Sequence, residues 1–318
     1  MIGSSSGDRR ALLRLRDWIV AALVALIGIA ILSPAAAAAK QASFATPEQA
    51  VDALVAATRA DSTAQLLKIL GPGSRKLISS GDAVADTQAR RKFVSAYETA
   101  NEITKEGDDR AILVVGKDGW TFPFPLVKQG KVWEFDASAG AEEILDRRIG
   151  ANELSAIEVC RAYVDAQRDY AARDPEHSGL LTYAQKFKSS PGHHDGLYWP
   201  AAAGEAESPL GPLVASARAA GYRAKPAKGR TPYHGYYYRI LTGQGPAAKG
   251  GAYGYIVKGH MIAGFAMVAF PAQYGASGIM TFIVNSDGVV YQKDLGPDTA
   301  KRAEAMKLFN PDSSWKPA

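Results

Sequence analysis

The sequence predicts an α+β protein: a helical N-terminal part with a small antiparallel meander, then a long helix and a C-terminal antiparallel sheet. Three observations predict it. Capped helical segments fill residues 46–102, and the apolar period then switches to short strands with tight Gly turns over 111–136. The last hundred residues are β-rich and follow a helix that ends at Asp174-Pro175.

In chain order, residues 1–39 read as a bacterial-type export signal. Arg9, Arg10, Arg14 and Arg16 make a positive start, residues 19–32 run apolar, and Ser33, Pro34 and the alanines at 35–39 supply the small residues a signal peptidase reads. Fourteen apolar residues fall short of the roughly 20 that a spanning helix needs. Cleavage near Ala39 and release into the periplasm or the medium are therefore expected over retention as an anchor helix, and no transmembrane anchor is left after cleavage. No Cys stands near that point, which excludes a lipid-anchored lipoprotein. Arg9-Arg10-Ala11-Leu12-Leu13 loosely fits a twin-arginine signal, with Sec export the stronger reading.

The expected organisation is a leader over 1–39, a small α+β domain over 40–140 and a helix-plus-sheet domain over 141–318. Thr46 caps a first helix, with Pro47 at its first position and Gln49 completing a capping box. Asp61 is read as the cap of a second, which Gly71-Pro72-Gly73 stops. A third is expected from about Asp86 to Glu102. Strands follow over 111–116, 120–128 and 131–136, joined at Asp118-Gly119 and Gln129-Gly130. Pro123 and Pro125 strip amide hydrogens from one edge of the middle strand, so that edge should face solvent or a loop.

Residues 141–149 read helical, and Asn152 is expected to cap a separate, longer helix to about Arg173. Residues 179–211 read as an irregular loop, and 212–220 as a short helix closed by Gly221. Strands are then expected over 233–241, 253–258, 261–270, 280–285 and 289–293, with a hairpin at Asn285-Ser286-Asp287-Gly288. The tail reads helical over 300–309 and loose beyond Asn310-Pro311.

Composition excludes several classes. Without residues 1–39, which hold four Arg and two Asp, the chain keeps 33 basic and 30 acidic residues, a charge of +3. So mild and interspersed a surplus does not fit nucleic-acid binding, which needs clustered Lys and Arg. Apolar residues make up 47% of the chain, enough for a core without disulfides. Cys160 is the sole cysteine, so no internal disulfide forms; Leu154, Ile157, Cys160 and Val164 at helical spacing place it on a buried face.

The enzyme motifs fail on context. Gly3-Ser4-Ser5-Ser6-Gly7 fits a nucleophile elbow but lies upstream of the leader's apolar core. Gly243-Gln244-Gly245-Pro246 resembles part of a dinucleotide fingerprint, yet runs into Lys249-Gly250-Gly251 and a strand, and reads as a hairpin loop. Ser313-Ser314-Trp315-Lys316 has serine–lysine spacing in what reads as a frayed end. His193-His194-Asp195 is the most tempting metal cluster, but adjacent side chains diverge and no ligand spacing links it to His177, His234 or His260; a solvated loop is the better reading. Glu142, Glu143 and Asp146 read as a solvated helix face. No cofactor is expected.

Aromatic residues are the densest unusual chemistry: Tyr198 and Trp199, then Tyr233, Tyr236, Tyr237 and Tyr238. In a strand, Tyr236 and Tyr238 share a face with His234. With Trp199 they are the candidate binding residues, for a sugar ring or a protein partner; the bland reading packs one face in the core.

A linked set of motifs resembles the bacterial exported family called domain of unknown function 2950. It comprises Trp120-Thr121-Phe122-Pro123-Phe124-Pro125-Leu126-Val127, Arg147-Arg148-Ile149-Gly150-Ala151-Asn152-Glu153-Leu154, Asp195-Gly196-Leu197-Tyr198-Trp199-Pro200 and Ser208-Pro209-Leu210-Gly211-Pro212-Leu213. It continues through Pro232-Tyr233-His234-Gly235-Tyr236-Tyr237-Tyr238-Arg239-Ile240-Leu241, Phe270-Pro271-Ala272-Gln273-Tyr274-Gly275 and Asp287-Gly288-Val289-Val290-Tyr291. The resemblance spans nearly all of residues 44–297, leaves out His193 and His194, and implies compartment and architecture but no reaction. At the level of fold alone, the first half is similar to nuclear transport factor 2-like domains and the second to pilin-like globular heads, without their assembly helix. The expected role is a non-enzymatic interaction or binding module of the periplasm or cell envelope, with an envelope protein or a glycan as partner. The alternative is a periplasmic hydrolase whose site the motifs do not reveal.

Overall fold

The computed structural model describes residues 40–175, 177, 179–202, 204–222 and 230–318; the expected leader over 1–39 and its cleavage point lie outside the described residues. The architecture is α+β, and residues 41–318 form one compact unit. Helices α1 (Pro47–Arg59), α2 (Thr63–Leu70), α3 (Arg75–Ile78) and α4 (Ala83–Thr99) come first. Thr46 accepts from the Gln49 amide, as expected of the cap, and Gln49 Oε1 reaches one residue past it to accept from the Ala45 amide in place of the Thr46 amide. Ser62, not Asp61, caps α2; Asp61 is left-handed (φ 51°) and pairs with Arg90. Helix α4 starts earlier than expected because Asp82 caps it.

Helix α4 ends at Thr99, and residues expected to close it form strand β1 (Asn101–Lys105) instead. This edge strand is exposed except at Ile103, so no alternation announces it. β2 (Arg110–Val115), β3 (Trp120–Thr121), β4 (Leu126–Gln129) and β5 (Val132–Phe135) complete an antiparallel sheet in the order β1-β2-β4-β5. The single strand expected over 120–128 is two: β3 and β4 both pair with β2, and the chain leaves it between them at Pro123 and Pro125. That is the physical consequence of two missing donors. The inner face of the sheet packs on α1 and α2 around Leu54, Leu66, Leu113, Leu126 and Phe135.

One helix, α5 (Ala141–Arg173), replaces the two that were expected. Asn152 is no cap; its side-chain amide donates to the Ser277 carbonyl at 2.8 Å. Ile144 and Leu145 pack against the first core, whereas Ala156, Cys160, Tyr163 and Tyr170 belong to a second. Leu154, expected on the buried stripe, is 66% exposed. Cys160 is fully buried, and burial pushes its thiol up to about 12, which removes the thiolate a nucleophile needs.

After α6 (Gly211–Ala219) the second sheet runs β15-β13-β12-β11-β6, all antiparallel. Its strands are β6 (Tyr236–Leu241), β11 (Ala266–Pro271), β12 (Met280–Asn285), β13 (Val290–Asp294) and β15 (Lys316–Pro317). Every residue of β11 is buried, as both faces are covered: α5 packs on one set of contacts and α7 (Thr299–Ala305) on another. Small ladders join β7 (Gly243–Gln244) to β8 (Tyr253–Gly254) and, in parallel, to β14 (Leu308–Phe309); β9 (Ile256–Val257) and β10 (His260–Met261) make a separate hairpin. The Gly-rich run at 245–252 is thus a hairpin loop, as its sequence indicates. The tail is not loose: Trp315 is buried and β15 pairs with β13.

Candidate functional site

The expected aromatic platform lies in the second core. Tyr236 is fully buried, donates to the Met280 carbonyl at 2.9 Å and tilts against Phe282. Tyr238 is half-buried, and its hydroxyl donates to the Tyr233 carbonyl at 3.3 Å. Trp199 is buried beneath His194, whose ring stacks on it at 4.3 Å. His234 does not share the Tyr236 face: the strand begins only at Tyr236, and His234 turns left-handed (φ 49°). Alternation told Tyr237 from its neighbours, but not that both sides of β6 are covered. Tyr237 lies under the Arg230 guanidinium at 4.8 Å.

His193 is exposed, and His194 and Asp195 have different partners. His194 faces Glu205 at 3.0 Å, while Asp195 takes the Ser190 amide at 2.7 Å and Lys186 Nζ at 2.5 Å. Burial works to raise the Asp195 carboxyl, but Lys186 and Ser190 outweigh it and hold it down at about 2. Among the described residues, no group of three or more His, Cys, Asp or Glu is arranged to hold a metal ion.

A buried polar knot sits where the two cores meet. Asp82 is fully buried; one carboxylate oxygen caps the Val84 and Ala85 amides at 3.2 Å, and the other takes the Tyr222 hydroxyl at 2.8 Å and the Gly235 amide at 2.9 Å. Gly235 (φ 72°) admits no side chain, because a Cβ there would meet Asn152 Nδ2 at 2.5 Å. Tyr233 and His234 pack beside Tyr222, and burial lowers His234 below its ordinary 6.5 while Asp82 and Glu158 pull the other way. With its four donors, Asp82 is committed to holding the fold.

Among the described residues, one open site is a groove of about 550 Å³ between the first sheet and the start of α5. Its floor is Ile112 on β2 and Ile144 on α5, with Pro123 beside them. The turn residues Gly116 and Gly119, both left-handed, deliver Trp120 to the rim, where it is 44% exposed. Phe122 is edge-on to Trp120 at 6.1 Å and fixes its base. Gly140 (φ 75°) starts α5 against the chain: a Cβ there would stand 2.5 Å from the Pro123 carbonyl oxygen. Arg110 and Arg147 line the walls; Arg147 pairs with Glu143 of the lining at 2.5 Å, and Arg110 with Glu106, outside the lining, at 2.8 Å. Each guanidinium has five N–H donors in a planar fork, so each keeps donors beyond its carboxylate. Trp120 to Pro125 and Arg147 belong to motifs of the resemblance, but Trp120 is not among the binding residues that the sequence singles out. The signal available was a Trp just past a Gly turn, beside prolines that bar pairing.

This is an α+β unit with an open, aromatic-rimmed groove, and it falls in a defined family. The pattern of the family described as "Protein of unknown function (DUF2950)" matches residues 41–318, so the chain belongs to that family. No curated protein and no solved structure matches it.

Proposed function

We propose that the protein is exported and serves in the cell envelope as a non-enzymatic binding module, holding a glycan chain in the Trp120 groove. The exposed Trp120 rim above a fixed aromatic base carries this reading. An indole face suits a sugar ring, being apolar and half-wet, and the Arg110 and Arg147 forks meet hydroxyl groups. Among the described residues lining the groove, Glu143 is the one carboxylate, and Arg147 holds it. Glycoside hydrolysis by the usual route needs two carboxyl groups about 5 to 9.5 Å apart. Export is supported by the leader pattern, and both the compact unit and the family match begin at residue 41, two positions past the expected cleavage.

The test uses protein recovered from the envelope, whose intact mass should begin at Lys40; a mass that retains residues 1–39 contradicts the release. Titration with soluble peptidoglycan glycan fragments should change the tryptophan fluorescence. Trp120→Ala should weaken binding by about 1–3 kcal/mol, the size of a moderate hot spot, with an unchanged melting temperature. Equal affinity in wild type and variant would refute the groove as the site.

A further inference from the structure

A second surface has a different chemistry. The hairpin β9–β10 projects Ile256 and Val257 into solvent, followed by exposed Ile262. Leu181, 73% exposed, joins them, because Tyr183 bridges to Met261 and Gln185 holds the Gly259 carbonyl. On the neighbouring ladder, Tyr253 is exposed, and the exposed Leu308 reaches over Gly243 to within 3.0 Å of where a Cβ there would stand. The turn at the hairpin's tip is Lys258-Gly259, with Lys258 left-handed and exposed.

The charge around these residues is one-sided. The segment that carries the hairpin and the Tyr253 ladder, residues 243–286, contains no Asp or Glu and holds Lys249 and Lys258. Residues 179–186 and 305–309, which supply Leu181 and Leu308, are also free of carboxylates. Among the described residues, no ion pair closes on Lys249, Lys258 or Lys307. A rim of Ile, Val and Leu drawn from segments without carboxylates, with an interfacial Tyr and Lys outside any ion pair, complements a surface that is apolar below and negative at its headgroups. Protein interfaces concentrate their energy in Trp, Tyr and Arg and under-use Leu and Val, so the composition favours lipid over a folded partner.

We infer that the β9–β10 hairpin, with Leu181, Tyr253 and Leu308, docks the protein on an anionic lipid bilayer. The aliphatic tips enter the boundary between headgroups and acyl chains, and Lys249, Lys258 and Lys307 meet the phosphates. This surface is built from other segments than the Trp120 groove and stands independently of it.

Vesicle co-sedimentation tests the inference, using residues 40–318, which contain both hydrophobic cores. Vesicles of phosphatidylcholine with phosphatidylglycerol should carry the protein down, and vesicles of phosphatidylcholine alone much less. Added salt should weaken capture, because headgroup attraction is screened. Val257→Asp should lower partitioning about ten-fold, the cost of one buried aliphatic side chain. Lys258→Glu should lower it by at least about five-fold on anionic vesicles, as it removes one positive charge and adds a negative one, and needs no change in any packed residue. Melting curves of both variants should match wild type; if Val257→Asp alone is unfolded, Lys258→Glu and the salt series decide. Failure of wild type to bind anionic vesicles overturns the inference, as does equal binding to neutral ones. Sedimentation velocity without lipid gives the remaining outcome: a dimer that Val257→Asp dissociates assigns the surface to a second copy and also overturns it.

Discussion

Asp82→Ala should destabilise the fold by about 3–5 kcal/mol, read from urea unfolding of residues 40–318. The substitution removes the cap of α4, worth roughly 0.5–2 kcal/mol, and strands buried donors at about 1–3 kcal/mol each. Those donors are the Tyr222 hydroxyl and the Gly235 amide, which come from the other side of the junction between the two cores. Tyr222→Phe removes only one partner and should cost less. A loss below about 1 kcal/mol for Asp82→Ala would contradict the junction, since a single exposed cap is worth that much. The unfolding slope also matters: if the knot couples the two cores, the variant should lose cooperativity as well as stability, and the single transition should broaden or divide.

Tyr236→Ala should cost a comparable amount, about 3–5 kcal/mol, as a fully buried aromatic ring is deleted. Tyr236→Phe keeps the ring and loses only the bond to the Met280 carbonyl, about 1 kcal/mol. The order of the two variants separates packing from hydrogen bonding. The site is tight from the opposite side too, because a Cβ on Gly278 would run into the Tyr236 hydroxyl. Thermal melts check both; a Tyr236→Ala variant that melts with wild type would return this residue to the surface and to recognition.

Local chemistry made much of the architecture legible. Thr46, Pro47 and Gln49 state a helix start within four residues, and Asn285 to Gly288 state a hairpin, with Asn285 taking the Asp287 amide at 3.2 Å. What escaped was set by partners far away. Gly150-Ala151-Asn152 reads as a break, yet α5 continues through it because Asn152 finds its acceptor on Ser277, 125 positions on. β1 is an edge strand exposed at every residue but Ile103, so no period marks it. The tail reads as frayed until Trp315 is seen to be buried and β15 to pair with β13.

The candidate site was less legible than the fold. A Tyr-rich strand suggests a recognition face only while its cover is unknown, and here Phe282 and the Met280 carbonyl provide that cover. Asp82 meets residues 140 and 153 positions away, a coupling with no trace in local composition. Trp120 was the residue closest to being found: Pro123 and Pro125 foretold an unpaired edge, and the groove opens there.

Binding of glycan in the groove without cleavage is tested most directly by product analysis. Purified protein at stoichiometric concentration is incubated with peptidoglycan glycan strands, and the strands are then recovered and measured by mass and by reducing ends. Strands should be bound through Trp120 and returned at their original length. New reducing ends that appear with wild type and vanish in Glu143→Gln would contradict binding without cleavage and make the protein a hydrolase.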